Sequence, residues 1–155
     1  MAIKQYQSAG GVVVQKGHIP GLNPERVYML LLNRPDRGEV RLPKGHIDPG
    51  EDAPTTALRE TAEEAGFTDL EIVGDLGNRV VEFDYGNDHY IRDEQYFLMN
   101  LRSTAQSQRP AHDAQQFQPV WVELKNAAEL LTFETEQAVA RAAVRRYQQL
   151  EVDNQ

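Results

Sequence analysis

Gly45 to Phe67, GHIDPGEDAPTTALRETAEEAGF, is the stretch on which the reading of this chain turns. It reads as a loop entering a short helix. Pro43 and Pro49-Gly50 are turn residues, Asp52 can cap a helix start, Pro54 suits a first turn, and Gly66 supplies a stop. The spacing predicts a helix over roughly Ala53 to Ala65. At about 100° per residue, Glu60, Glu63 and Glu64 share one sector, with Leu58, Ala62 and Ala65 almost opposite. One face is expected to be apolar and the other a carboxylate cluster.

Like charges three and four residues apart on a helix repel. Between Asp48 and Glu71 there are eight acids and one base, Arg59, a net of −7 against −8 for the whole chain. Most charge runs are solvated helix faces, but such faces normally carry Lys partners, and these glutamates have none. A divalent cation is the natural compensation. Hard ions take oxygen ligands, and Glu side chains at i, i+3 and i+4 can converge on one or two of them, so Mg²⁺ is the expected ion, with Mn²⁺ the alternative.

The length of 155 residues suits a single domain spanning 1–155. Hydrophobic content of 40% and charged content of 26% are ordinary for a soluble globular protein. No run approaches the ~18 apolar residues of a membrane span, and Met1-Ala2-Ile3-Lys4 does not open a signal peptide, so the expected location is cytoplasmic. The absence of cysteine excludes disulfides, thiol catalysis and zinc-thiolate sites. A net charge of −8 argues against nonspecific binding to nucleic acid or an anionic membrane. A polyanionic substrate would have to be admitted through local bases and metal.

Taken in order, Ser8 to Val14 reads as a strand, Gln15 to Arg26 as a loop, and Val27 to Leu32, VYMLLL, as a buried strand. Asn33 to Val40 is polar and turn-rich. It carries Arg34 and Arg37, with Arg41 and Lys44 just beyond, so four bases lead into the acidic stretch. Leu70 to Tyr85 contains two strand-like pieces, LEIVGDLG and RVVEFDY, joined near Gly74 to Gly77. Gly86-Asn87-Asp88 is a turn signal, and Gln95 to Met99 returns as a strand. The resulting hairpin has Tyr85 and Tyr90 near its tip and Arg92 following. Arg102 to Gln118 reads as an extended loop, Pro119 to Leu124 as a final strand with Trp121 as a core or edge anchor, and Ala127 to Leu131 and Glu134 to Leu150 as helices. Strands alternating irregularly with helices indicate an α/β or α+β sandwich.

Gly45, Glu51, Arg59-Glu60-Thr61, Glu63-Glu64 and Gly66-Phe67 together resemble the Nudix box, the signature of the Nudix hydrolases. Thr61 stands where the family pattern usually has an aliphatic residue. The resemblance implies a Nudix-type α/β/α sandwich with a mixed β-sheet, and metal-assisted hydrolysis of a phosphoanhydride in a nucleoside diphosphate linked to some group X. By that resemblance Glu60, Glu63 and Glu64, with the Gly45 carbonyl, are the metal ligands. Glu51 holds an outer ion or acts indirectly, and Arg59 orients the carboxylates by bidentate hydrogen bonds. Many Nudix enzymes place a further acid before the last strand, and this chain offers Asp113 there. Either Glu63 or Asp113 is the candidate base.

Leu42-Pro43-Lys44-Gly45-His46 resembles the segment entering the box in enzymes acting on dinucleoside polyphosphates or diphosphoinositol polyphosphates. This implies Lys44 and His46 near phosphates. Arg41, among the bases before the box, and Tyr85 and Arg92 of the hairpin, where an aromatic beside a phosphate site can stack on a base, are read as further substrate contacts. Over most of the chain the resemblance is to the asymmetric diadenosine tetraphosphate hydrolases, which release ATP and AMP. Nucleoside triphosphates, diphosphoinositol polyphosphates and RNA 5′ ends are the alternative substrates. A nucleotide-binding regulator without hydrolysis is the alternative class, although no box glutamate is missing. The expected partner is a small nucleotide, and monomer and homodimer both fit.

Overall fold

The computed structural model describes residues 1–155. Its elements run β1 (Ile3–Lys16), β2 (Val27–Arg34), β3 (Glu39–Arg41), β4 (Lys44–His46), α1 (Ala53–Ala65), β5 (Leu70–Tyr85), β6 (Asp88–Leu101), α2 (Ala111–Gln116), β7 (Gln118–Glu123), α3 (Leu124–Leu130) and α4 (Glu134–Asp153). The sheet is ordered β3-β2-β1-β6-β5, with β4 also on β1 and β7 also on β2. It is mixed because β1 and β6 run parallel, from Ile3 opposite His89 to Val13 opposite Met99, while the other pairs are antiparallel.

Both faces of the central strands are covered, which explains the unbroken apolar runs in β1 and β2. Val13, Leu30, Leu32 and Met99 pack with Ala57 and Ala65 of α1 on one side. Val12, Val14, Met29, Leu31 and Leu98 pack with Val139, Ala140 and Ala143 of α4 on the other. The sandwich expected from the sequence is therefore the one observed. No helix is long and apolar enough to cross a membrane.

Helix α1 has the expected bounds because its signals are local. Asp52 Oδ1 accepts from Thr55 N at 2.9 Å, and Gly66, at φ +88°, donates its N–H to Ala62 O at 2.8 Å. The strands differ more from the sequence reading. The two pieces expected within Leu70 to Tyr85 form one strand, irregular between Ile72 and Gly74 and between Asp75 and Asn78, because its long partner β6 carries the ladder past the break. β6 begins at Asp88 rather than Gln95, since its polar half lies between β1 and β5 and gains hydrogen bonds on both sides. Gly45 and His46, read as loop, join Lys44 in pairing with Ser8 to Gly10 as β4. The loop expected from Arg102 to Gln118 contains the short helix α2, and α3 starts three residues before Ala127.

Candidate active site

Helix α1 is seated on β1 at a gap left by glycine. A Cβ on Gly11 would stand 2.6 Å from Thr61 Oγ1 and 2.7 Å from Met99 Sδ, so only glycine lets the helix come this close. Thr61 is wholly buried there. The helix is turned from the orientation expected: Thr56, Ala57, Thr61, Glu64 and Ala65 are buried, while Leu58 and Ala62 are only half-buried. Two contacts fix this rotation. Glu64 Oε1 accepts from Lys44 N at 2.7 Å, and the Glu60 carboxylate occupies the space a side chain on Gly45 would need. β4 thus touches the carboxylate face through its backbone.

Arg59 is the one base among these acids. Its Nε lies 2.7 Å from Glu51 Oε2 and its Nη2 2.9 Å from Glu51 Oε1, the bidentate pair foreseen, while Nη1 reaches Glu60 at 2.9 Å and Glu63 at 3.4 Å. The Arg59 hydrogen bonds, then that from Thr56, hold the Glu51 carboxyl down at about 2. Burial pushes Glu60 up and Glu64 well up, with neighbouring carboxylate charge adding to both. Asp113 of α2 is one of those neighbours, so the fold brings it to the box. No three of the acids already enclose a cation-sized space. The donor chemistry nonetheless fits one: all donors are oxygen, two carboxylates are desolvated, and only one guanidinium lies among them. Glu60, Glu63 and Glu64 would hold a hard divalent ion.

Successive strand residues face opposite sides, so Gly45 faces α1 while Lys44 and His46 face away from it. Lys44 passes over Gly10, where a Cβ would stand 2.8 Å from Lys44 Cβ and 2.9 Å from Tyr96 Cε1. Its Nζ lies 3.8 Å from Glu94 Oε2, and burial lowers its pKa. Arg92 Nε stands 2.5 Å from the same oxygen, and Arg92 Nη1 donates to Tyr6 Oη at 3.1 Å. The Tyr6 ring lies 4.4 Å from that of His46, and Phe83 stacks on Tyr90 at 5.1 Å. With Tyr85, which is 74% exposed, these rings line a shallow basin of about 600 Å³.

The residues named from sequence therefore fall into two groups. Glu51, Arg59, Glu60, Glu63, Glu64 and Asp113 gather on the α1 side; Lys44, His46, Tyr85 and Arg92 gather on the other. Arg41 is held away from the basin. Its Nε is 2.8 Å from Glu136 of α4, and its guanidinium lies over Phe133. Tyr6, Phe83, Glu94 and Glu136 were not foreseen. Tyr6 precedes the β-branched run that marked β1, and Glu136 resembles an ordinary acid in a first helical turn. Glu94 carried a weak signal, being a charge at the inward position next to Tyr96 in strand parity. Trp121 proves an edge anchor, edge-to-face with Phe67 at 5.5 Å.

A mixed sheet with an acidic helix seated on it by glycines, and a glycine strand end against the carboxylates, defines a Nudix domain. The NUDIX domain profile matches residues 7–146. The chain belongs to the Nudix family and is a Nudix hydrolase, a phosphoanhydride hydrolase acting on nucleotide pyrophosphates. It is 31% identical over 128 residues to the asymmetrical bis(5'-nucleosyl)-tetraphosphatase of Rattus norvegicus, covering 81% of this chain and 85% of that one. The Mus musculus enzyme of the same name is 31% identical over 127 residues, 81% and 84% of the two chains. Among solved structures, a C. elegans Ap4A hydrolase binary complex superposes with a TM-score of 0.69 at 25% identity, over 92% of this chain and 97% of that one. The E. coli dihydroneopterin triphosphate pyrophosphohydrolase shares the fold, at TM-score 0.62 and 21% identity over 94% and 99%.

Proposed function

We propose that this Nudix hydrolase cleaves a dinucleoside polyphosphate asymmetrically, diadenosine tetraphosphate to ATP and AMP, with Mg²⁺. The observation that carries the reading is the aromatic basin of Tyr6, His46, Phe83, Tyr85 and Tyr90 on the same side as Lys44 and Arg92, one strand's thickness from the box carboxylates. Base stacking on such rings is worth about 1–3 kcal/mol by alanine substitution. The likeness to the two tetraphosphatases supports the same reading.

The chain's own groups divide the work. A divalent ion, when bound, neutralises phosphate oxygens and supplies an acidified water. Glu60, Glu63 and Glu64 would hold it, and Arg59, fixed by Glu51, keeps Glu60 and Glu63 oriented. Lys44 and Arg92 bind the phosphates next to the basin, so the polyphosphate crosses the β4 edge between the two groups of residues. Glu63 or Asp113 takes the proton from the attacking water; Glu63→Gln and Asp113→Asn, compared by pH–rate profile, separate the two.

Product analysis after incubation with Mg²⁺ and a panel of diadenosine tetraphosphate, nucleoside triphosphates, ADP-ribose and a diphosphoinositol polyphosphate tests the substrate. ATP plus AMP from the dinucleotide is expected. Preferential cleavage of another compound would overturn the substrate reading and leave the box chemistry standing.

A further inference from the structure

Glu94 is buried in the middle of β6, 1% exposed, and belongs to neither the metal site nor the hydrophobic core. Its Oε1 accepts from Tyr96 Oη at 3.1 Å. Its Oε2 makes no hydrogen bond, yet it is the point where two cations meet, with Arg92 Nε at 2.5 Å and Lys44 Nζ at 3.8 Å. Lys44 and Arg92 come from strands on opposite sides of β1, whose Ser8 lies in register with both His46 and Glu94. Without the Glu94 carboxylate, the buried Lys44 would be left between Arg41 and Arg92 with only the charge of Glu136, which Arg41 already engages, to offset them. Lys44 and Arg92 would each relieve the repulsion by turning away.

We propose that Glu94 is a positioning residue which tethers Lys44 and Arg92 into one cationic pair set for adjacent phosphates of the substrate. The inference rests on the reading of Lys44 and Arg92 as phosphate contacts. Lys44 Nζ makes no hydrogen bond within the protein, which leaves its three donors for a ligand. Arg92 is braced further by the Tyr6 hydroxyl and by the faces of Tyr6 and Phe83, so its guanidinium is fixed between the phosphate side and the aromatic basin. Glu94 therefore links the grip on phosphate to the grip on the base. Buried charges of this kind are costly when a partner is removed, which makes the tether stiff.

Steady-state kinetics of the full chain with Mg²⁺ and diadenosine tetraphosphate test the tether as a double-mutant cycle. Glu94→Gln is expected to raise KM about tenfold with kcat changed less than about threefold, and to add less than about twofold to KM in a Lys44→Ala background. Glu94→Asp keeps the charge and is expected to recover most of the lost affinity, while Glu94→Thr, uncharged and suited to a strand interior, takes the place of Glu94→Gln in the cycle if the Gln variant does not fold. A folded Glu94→Gln protein with wild-type KM, or a full KM rise persisting in the Lys44→Ala background, would overturn the proposal while leaving Lys44 as a phosphate contact. If Lys44→Ala itself leaves KM and kcat unchanged, the phosphate reading falls and the tether falls with it.

Discussion

Replacing Thr61 by valine should make this protein more stable. Thr61 is wholly buried between α1 and β1, and its hydroxyl has no hydrogen-bond partner. An unpaired buried hydroxyl costs about 1–3 kcal/mol. Valine keeps the β-branch and the volume, so it opens no cavity, and its helix propensity is close to that of threonine. Against this stands the slightly wider methyl group facing Gly11 and Met99, whose approach is already tight. The net expectation is a gain of about 1 kcal/mol, or roughly 2–4 °C in Tm for a chain of this size. Thermal and urea unfolding of Thr61→Val and Thr61→Ala measure it. The alanine variant loses both branches and should fall below wild type by about 1 kcal/mol through the cavity it leaves. Turnover should stay within about twofold for valine, because Thr61 faces the sheet and not the carboxylates. A valine variant that melts below wild type would refute the reasoning.

Gly45→Ala should fold but lose about 10²-fold in kcat, since the new Cβ displaces the flexible Glu60 carboxylate, and misplacement of about 1 Å is worth that much; melting temperature and kcat measured together check it. Glu64→Gln should cost about 10³-fold in turnover by removing a charge from the cation site. The same variant should raise the metal-free Tm at neutral pH, because the native carboxyl, pushed up by burial, makes the wild type less stable as pH rises above the unfolded value. Glu51 has the opposite sign. Its native pKa of about 2 lies below the ordinary 4.5, so its contribution is present above 4.5 and is lost as pH falls toward 2. Glu51→Gln should therefore melt below wild type at pH 7 and converge with it near pH 2, as scanning calorimetry across that range would show.

The parts of this protein legible in its sequence are those decided locally. Asp52, Pro54 and Gly66 determine α1 within a few residues of themselves, and the box spacing is confined to the 23 residues from Gly45 to Phe67 around that helix. What stayed hidden depends on residues distant in sequence. The rotation of α1 is decided by Gly45 and the Lys44 N–H, so an amphipathic pattern placed Glu64 outside when that backbone N–H on β4 draws it in. The polar half of β6 lacks the β-branched signature of a strand and becomes one because β1 and β5 supply partners on both sides. Arg41 and Lys44 look alike in sequence, two bases before the box. Strand parity alone does not separate them, and Glu136, 95 residues further on, is what claims Arg41.

The parallel pairing of β1 with β6 has a further consequence. It joins residues about 86 apart along the chain, and Glu136 Oε1 then accepts from Leu42 N at 2.6 Å. Lys44 and Gly45 pair with Gly10 and Ala9 of β1, the Lys44 side chain reaches Glu94 on a strand that ends at Leu101, and Leu42 just before them is braced by a helix that begins at Glu134. A chain emerging from the ribosome can form α1 as soon as residue 66 is free, yet the groups across the sheet from its carboxylates, Arg92 and Glu94, and the Glu136 brace on Leu42 are not all in place until about residue 136 has been made. Contacts this remote close slowly, because the loop entropy is lost before they form. The acidic helix is among the first pieces able to form during synthesis, and hydrolytic competence is among the last properties acquired.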